Sequence, residues 1–293
     1  MFIQKGDAAF IQASARLIDE YEKKLRSERR YFPRLTRRKI SNEAMMNYML
    51  FMIENSLSWK ALHRCIDGFH YQSVFKRFQT WVKHGVFQYI WNELLQEYSR
   101  QKLSNNPNHF MNLFTDTTMI KSLEGADCIG RNPTLLLLRS SSRDRGRNGT
   151  KVSVIIDEDK VAISKPLMFP ANTSDIKTLV PTLCAIPFIT RIDRRRTTRI
   201  AADKAYRKKG LAANLLKMKI RLVTEPKRNE VNPILMRQKD KAFYRKRIYI
   251  EHFLGMIKKG NKRIRFRVDR KIATYNALWF LAMARRTFNA INK

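Results

Sequence analysis

Tyr244, Arg247, Glu251 and Lys258 stand in the order Y-x2-R-x3-E-x6-K within the segment FYRKRIYIEHFLGMIK. The intervals of three, four and seven each fit a repeat of 3.6 residues. A single helix over about 241–259 would therefore carry a phenol, two cations and an acid as one stripe. A hydrophobic core has no use for such a stripe, whereas nucleic acid and a metal ion do. Guanidinium and ammonium groups grip phosphate oxygens, and a carboxylate offers the hard oxygen ligand that a divalent cation prefers.

The balance of charge points the same way. Among 293 residues, 59 are Lys or Arg and 25 are Asp or Glu, a formal net charge of +34. An excess of one sign costs self-repulsion in a compact chain, and binding a polyanion such as nucleic acid relieves it. A membrane surface would want the basic residues gathered on one amphipathic helix, but here they run from Arg16 to Lys293. The longest apolar run near the C-terminus, Ala277 to Ala284, is too short to span a bilayer. The N-terminus lacks an apolar signal-peptide core. Cys65, Cys128 and Cys184 are few, far apart and without zinc spacing, which suits reduced thiols and an intracellular protein. No membrane association is expected.

Apolar periodicity divides the chain near residue 104, into a helical domain over 1–104 and a second domain over 105–293. In the first, helical spacing covers residues 8 to about 31, a stretch from Asn42, and a short segment opening at Ser58, a good N-cap. A further helix runs from Tyr71 to Lys83. Its outer face carries Gln72, Ser73, Lys76, Arg77, Gln79, Thr80 and Lys83, which suits a helix-turn-helix-like unit on DNA as well as a solvated bundle face. After the polar break SNNPN, strand-like runs fall at 110–115, 151–156, 161–169, 198–202 and 220–224. Helical segments lie between the later ones, at about 175–186 and 204–218, with the long one at 241–259. That order predicts an α/β domain, a mixed sheet flanked by helices.

The Y-x2-R-x3-E-x6-K pattern resembles the YREK signature of DDE-class transposases of the insertion-sequence-four/five superfamily, and the resemblance extends over about residues 40–290. The segment LSWKALHRCIDGFHYQSVFKRFQTWVKHGVF is also similar to the N-terminal DNA-binding domain of those enzymes. The resemblance implies an RNase H-like fold for the sheet domain, in which Glu251 is the last of three metal-binding carboxylates. The other two are then Asp116, ending the first strand in TDTT, and Asp203, ending the fourth in ADKAY. Two divalent ions, Mg²⁺ or Mn²⁺, would be held by this set for in-line displacement at phosphorus. Each acid also has a duller use: Asp116 could open a turn, Asp203 could cap a helix, and Glu251 could pair with Arg247.

Around that centre the resemblance assigns Arg247 and Lys258 to phosphates flanking the scissile bond and Tyr244 to a displaced base. A basic glycine-containing loop, SSSRDRGRNGTK, adds Arg145, Arg147 and Lys151 as DNA contacts, and Lys76, Arg77 and Lys83 join them from the helical domain. The basic clusters RIDRRRTTR and KKGNKRIRFRVDRK would lengthen the DNA track. The expected partners are double-stranded DNA, both as inverted-repeat ends and as target, and at least a second copy of the chain. Two other readings fit the same residues: a relic that binds DNA without cutting it, and an RNase H-like nuclease without strand transfer.

Overall fold

A computed structural model of the chain describes residues 5–28, 40–64, 70–123, 125–131, 148–188, 197–230 and 236–293. The chain forms two compact units. One comprises Met1–Tyr98, Lys258–Arg265 and Ala273–Lys293, the other Ser99–Ile257 and Phe266–Ile272. The division thus falls close to residue 104 on the N-terminal side, while the C-terminal helix belongs with the helical unit and not with the sheet.

The helical unit contains α1 (Lys5–Ser27), α2 (Asn42–Asn55), α3 (Trp59–His63), α4 (Tyr71–Lys83) and most of α5 (Val86–Asn105). Ser41 caps α2 by accepting the Ala44 N–H at 3.0 Å, and Ser58 caps α3 by accepting that of Ala61 at 3.1 Å. Each cap satisfies a donor that the helix leaves open. Gly85 separates α4 from α5 at φ +69, a left-handed conformation that a residue without Cβ adopts at no steric cost. Helix α5 has no counterpart in the expected elements, although Phe87, Ile90, Trp91, Leu94, Leu95 and Tyr98 line one buried face at helical spacing. Trp59 brings α3 onto α4 between Phe75 and Phe78, each ring centroid 4.9 Å away. The link at 65–69 between those two helices, which the helix-turn-helix expectation needs, lies outside the described residues. The apolar run of the last helix, α11 (Ile272–Ile291), is core: Trp279, Leu281 and Met283 are buried, and Phe280 meets Trp91 at 5.4 Å. Among the described residues no helix is long and apolar enough to cross a membrane.

The second unit is built on one mixed sheet: β1 (Asn112–Lys121), β2 (Gly130–Arg131), β3 (Asn148–Ile156), β4 (Leu167–Pro170), β5 (Thr198–Ala201) and β6 (Ile220–Val223). Strand β3 pairs antiparallel with β1, and β4 and β2 pair antiparallel with β3. On the other side of β1, β5 and then β6 run parallel. The antiparallel strands β1, β3 and β4, extended by the two-residue β2 and followed by two parallel strands reached through helices, are the RNase H-like order that the resemblance implies. Parallel neighbours require crossovers, which α6 (Asp175–Cys184) and α7 (Lys209–Lys217) help to supply. Gly149 faces β1 with no room for a side chain, since a Cβ there would lie 2.9 Å from the Ile120 carbonyl. Its smallness serves the sheet.

The strand expected over 161–169 is confined to Leu167–Pro170, the helix expected at about 204–218 is a 3-10 turn and then α7, and two further differences bear on the site. Strand β1 continues to Lys121, so Asp116 lies mid-strand and not at its end. The single helix at 241–259 is two, α8 (Gln238–Arg245) and α9 (Ile248–Gly260), broken at Lys246–Arg247. Tight i→i+3 bonds bridge the break, Arg247 N–H to Tyr244 O at 2.8 Å and Tyr249 N–H to Lys246 O at 2.9 Å. Tyr244 and Glu251 are therefore on different helices, although Arg247 still adjoins both, its guanidinium 5.9 Å from the Tyr244 ring centroid and 2.7 Å from the Glu251 carboxylate.

Candidate active site

Strand β1 has both faces covered, and its alternation decides what Asp116 meets. Phe114, two residues earlier and on the same face, packs against Phe243 of α8 at 5.3 Å and Tyr249 of α9 at 5.6 Å. Those contacts bring the α8–α9 break over the central strand. Arg247, at the break, then reaches the Asp116 carboxylate at 3.6 Å and that of Glu251, one turn further on, at 2.7 Å. Asp203 follows β5, the parallel neighbour of β1, and precedes a short 3-10 turn, Lys204–Tyr206. Its charge acts on both Asp116 and Arg247.

Burial pushes the Asp116 carboxyl up to about 6, against the opposing pull of the Thr117 N–H and of Arg247; the charges of Asp203 and Asp175 push it further up. Burial works against the Arg247 charge as well, but Glu251, Tyr244, Asp116 and Asp203 outweigh it and raise its pKa. Tyr244, partly buried, has its phenol raised first by desolvation and then by Glu225. It lines a cavity of about 510 Å³ with Glu225, Pro226, Met236, Lys241 and Arg245. The Lys258 ammonium, on α9, is lowered by desolvation and by Arg265.

On the opposite face of β1, Thr117 donates to Asp175 of α6 at 2.8 Å, and Lys151 of β3 pairs with the same carboxylate at 2.7 Å. Lys151 also donates to the Thr173 carbonyl and is only 14% exposed, so its ammonium fixes the start of α6. The Tyr206 hydroxyl is buried next to Thr117 and Thr178 but in hydrogen-bonding geometry with neither. Asp175 and Tyr206 both lie near Asp116, and of the two Asp175 was not expected at the site. Asp175 opens a predicted helix, and an acid in a first helical turn reads as a dipole partner.

The remaining DNA contacts expected from sequence fall into three groups. Lys76 and Lys83 are exposed on α4. Arg77 turns inward, donating to the Ile40 carbonyl at 2.6 Å and to Asn42, and lies over Trp81. It holds the start of α2. Arg145 and Arg147 lie outside the described residues, as does most of RIDRRRTTR. In the second basic cluster, Arg263 donates to the Leu57 carbonyl and Arg267 is fully buried, so both are structural.

Among the described residues, no three His, Cys, Asp or Glu side chains lie close enough together to hold a metal ion. The donor chemistry nevertheless suits one. Asp116 is a desolvated carboxylate crowded by two further acids and relieved by a single guanidinium, which also takes Glu251. Hard oxygen donors with a shortage of positive charge are what a divalent cation satisfies.

A sheet of RNase H-like order with acids beside its central strand defines a class of enzymes that transfer phosphoryl groups. Residues 134–286, just over half of the chain, match the family model of the transposase DDE domain. The chain belongs to that family: it is a DDE transposase, an enzyme of transposition. DDE transposases generally use divalent metal ions. The match takes in Asp203 and Tyr244 to Lys258 and leaves Asp116 outside. No curated protein matches the chain. A solved structure, the Mos1 transposase paired-end complex with left transposon end, is 11% identical, covers 74% of this chain and 79% of its own, and has a TM-score of 0.27. That likeness is too loose to carry an argument.

Proposed function

We propose that this DDE transposase is of the insertion-sequence-four/five type, with Tyr244, Arg247, Glu251 and Lys258 as its YREK motif. It binds double-stranded DNA at terminal inverted repeats, cuts it, and joins the freed 3′-OH to target DNA, working inside the cell as a dimer or larger assembly. The observation that carries this reading is that Arg247 lies between Asp116 and Glu251 and also feels Asp203. Three acids separated by 87 and 48 residues share one positive charge.

Asp116, Asp203 and Glu251 would hold two Mg²⁺ or Mn²⁺ ions. When bound, such ions activate an attacking oxygen and stabilise the leaving one. Arg247 and Lys258 engage the phosphates beside the scissile bond, which draws the guanidinium off the carboxylates and leaves them to the cations. Tyr244, backed by its cavity, braces a displaced base. Lys76 and Lys83 meet DNA from α4, and Arg145 and Arg147 do so from the segment before β3, whereas Lys151, expected with them, is held by Asp175 and the Thr173 carbonyl.

The test is Mn²⁺-dependent nicking of supercoiled plasmid by the full chain. Asp116→Asn, Asp203→Asn and Glu251→Gln should each reduce nicking by at least about 100-fold while DNA retention in a gel persists. A variant that nicks at the unaltered rate removes its residue from the role.

A further inference from the structure

The turn after β3 uses its charges in two different ways. Asp157 is fully buried and accepts the N–H groups of Asp159 and Val161, both at 3.0 Å, as well as a contact from His109 at 3.0 Å. Asp159 pairs with Lys102 at 2.7 Å. Lys160 stands at φ 59 with its N–H on the Asp157 carbonyl. These bonds make residues 157–160 a rigid turn. The next side chains to leave it go elsewhere. Glu158 pairs with Lys246 at 2.8 Å and accepts from Asn112 at 3.2 Å. The Lys160 ammonium lies over the Tyr249 ring, 4.8 Å from its centroid.

Lys246 lies in the α8–α9 break and Tyr249 in the first turn of α9, with Arg247 between them. The break keeps i→i+3 bonds but not the i→i−4 ladder of a full helix, so contacts from outside add to what fixes its side-chain directions. Phe114 holds it from below through Phe243 and Tyr249. We propose that Glu158 and Lys160 are positioning residues: the 157–160 turn grips the break on both sides of Arg247 and thereby sets where Arg247 and Glu251 stand relative to Asp116. The inference rests on the assignment of those three residues to the active site.

The energetics give this role a signature. The Glu158–Lys246 pair is half exposed at its lysine, and such pairs contribute little to stability. A displacement of about 1 Å in a catalytic group, by contrast, can cost on the order of 100-fold in rate. Loss of the grip should therefore slow turnover without unfolding the protein.

Plasmid nicking under Mn²⁺ by the full chain reads this directly. Glu158→Ala with Lys160→Ala should lower kcat roughly tenfold, with KM for plasmid within about twofold and an almost unmoved thermal midpoint. Lys160→Arg, which retains a cation over the ring, should keep kcat. Glu158→Lys should lose kcat, and adding Lys246→Glu should restore most of it. An unaltered kcat in the double-alanine variant, a loss confined to KM, a midpoint that falls in step with kcat, or a charge swap that restores nothing would each overturn the proposal. Glu251→Gln, run alongside, separates the two levels. If it nicks normally the active-site assignment fails, and if it is inert while the turn variants are normal only the positioning role fails.

Discussion

Asp116 carries a cost that its neighbours only partly offset. Its carboxyl sits at about 6 in the fold, raised first by desolvation, against an ordinary value of 3.8. For an acid raised by folding, the folded state binds the proton more tightly than the unfolded chain does. The penalty is absent below about pH 4, grows as pH rises between the two values, and is complete above about pH 6. The gap corresponds to about 3 kcal/mol, at a side chain 23% exposed. Asp116→Asn keeps the shape and removes the charge, so the metal-free variant should be about 1–3 kcal/mol more stable at about pH 8 and unchanged at about pH 4. Urea unfolding at both pH values checks it; a variant less stable at the higher pH, or equally stabilised at both, contradicts the assigned cause. The same change should abolish nicking, as expected where an active site stores unfavourable interactions for function.

At the level of elements, what could be read from residues alone was whatever depends on period and local chemistry. The Ser58 cap, α4 at Tyr71–Lys83, and strands β3, β5 and β6 all follow from alternation or helical spacing with punctuating turn residues. The α8–α9 break does not. Lys246 and Arg247 are good helix formers, and the contacts made at the break by Phe114, Glu158 and Lys160 come from residues far away in sequence. Helix α5 has an apolar stripe, Phe87 to Tyr98 at helical spacing, that is legible in the sequence. Basic clusters are the hardest case, because burial of an arginine depends on partners far away in sequence. Arg267, 0% exposed, donates to the Asp127 carboxylate, to Thr150 at 2.8 Å and to the Asp269 carbonyl at 3.0 Å, whereas Arg265, two residues earlier, is exposed. Arg267→Met should thus cost about 3 kcal/mol or more, by leaving several acceptors without a donor, while Arg265→Ala should stay within about 0.5 kcal/mol. Equal urea midpoints for the two variants would contradict the distinction.

For the whole molecule, the net charge of +34 is the quantity that the fold must reconcile with stability. Arg77, Arg263 and Arg267 are turned to internal carbonyls or rings and Lys151 to Asp175, so these cations brace the fold instead of facing solvent. A great many exposed cations remain, and their mutual repulsion falls when phosphates neutralise them and release counterions. Affinity for duplex DNA should accordingly fall steeply with salt, and the slope of log K against log salt counts the cations that touch phosphate. Lys76 and Lys83, both exposed on α4, should each remove about one from that slope when changed to alanine. Arg77→Ala should instead leave the slope nearly unchanged and lower the unfolding midpoint, since its guanidinium holds Ile40, Asn42 and Trp81. Anisotropy titrations of a labelled duplex across several salt concentrations distinguish the two behaviours. If the slope falls for Arg77→Ala and not for the two lysine variants, α4 meets DNA by the opposite face, and the helical unit would have to present a different surface to the transposon end.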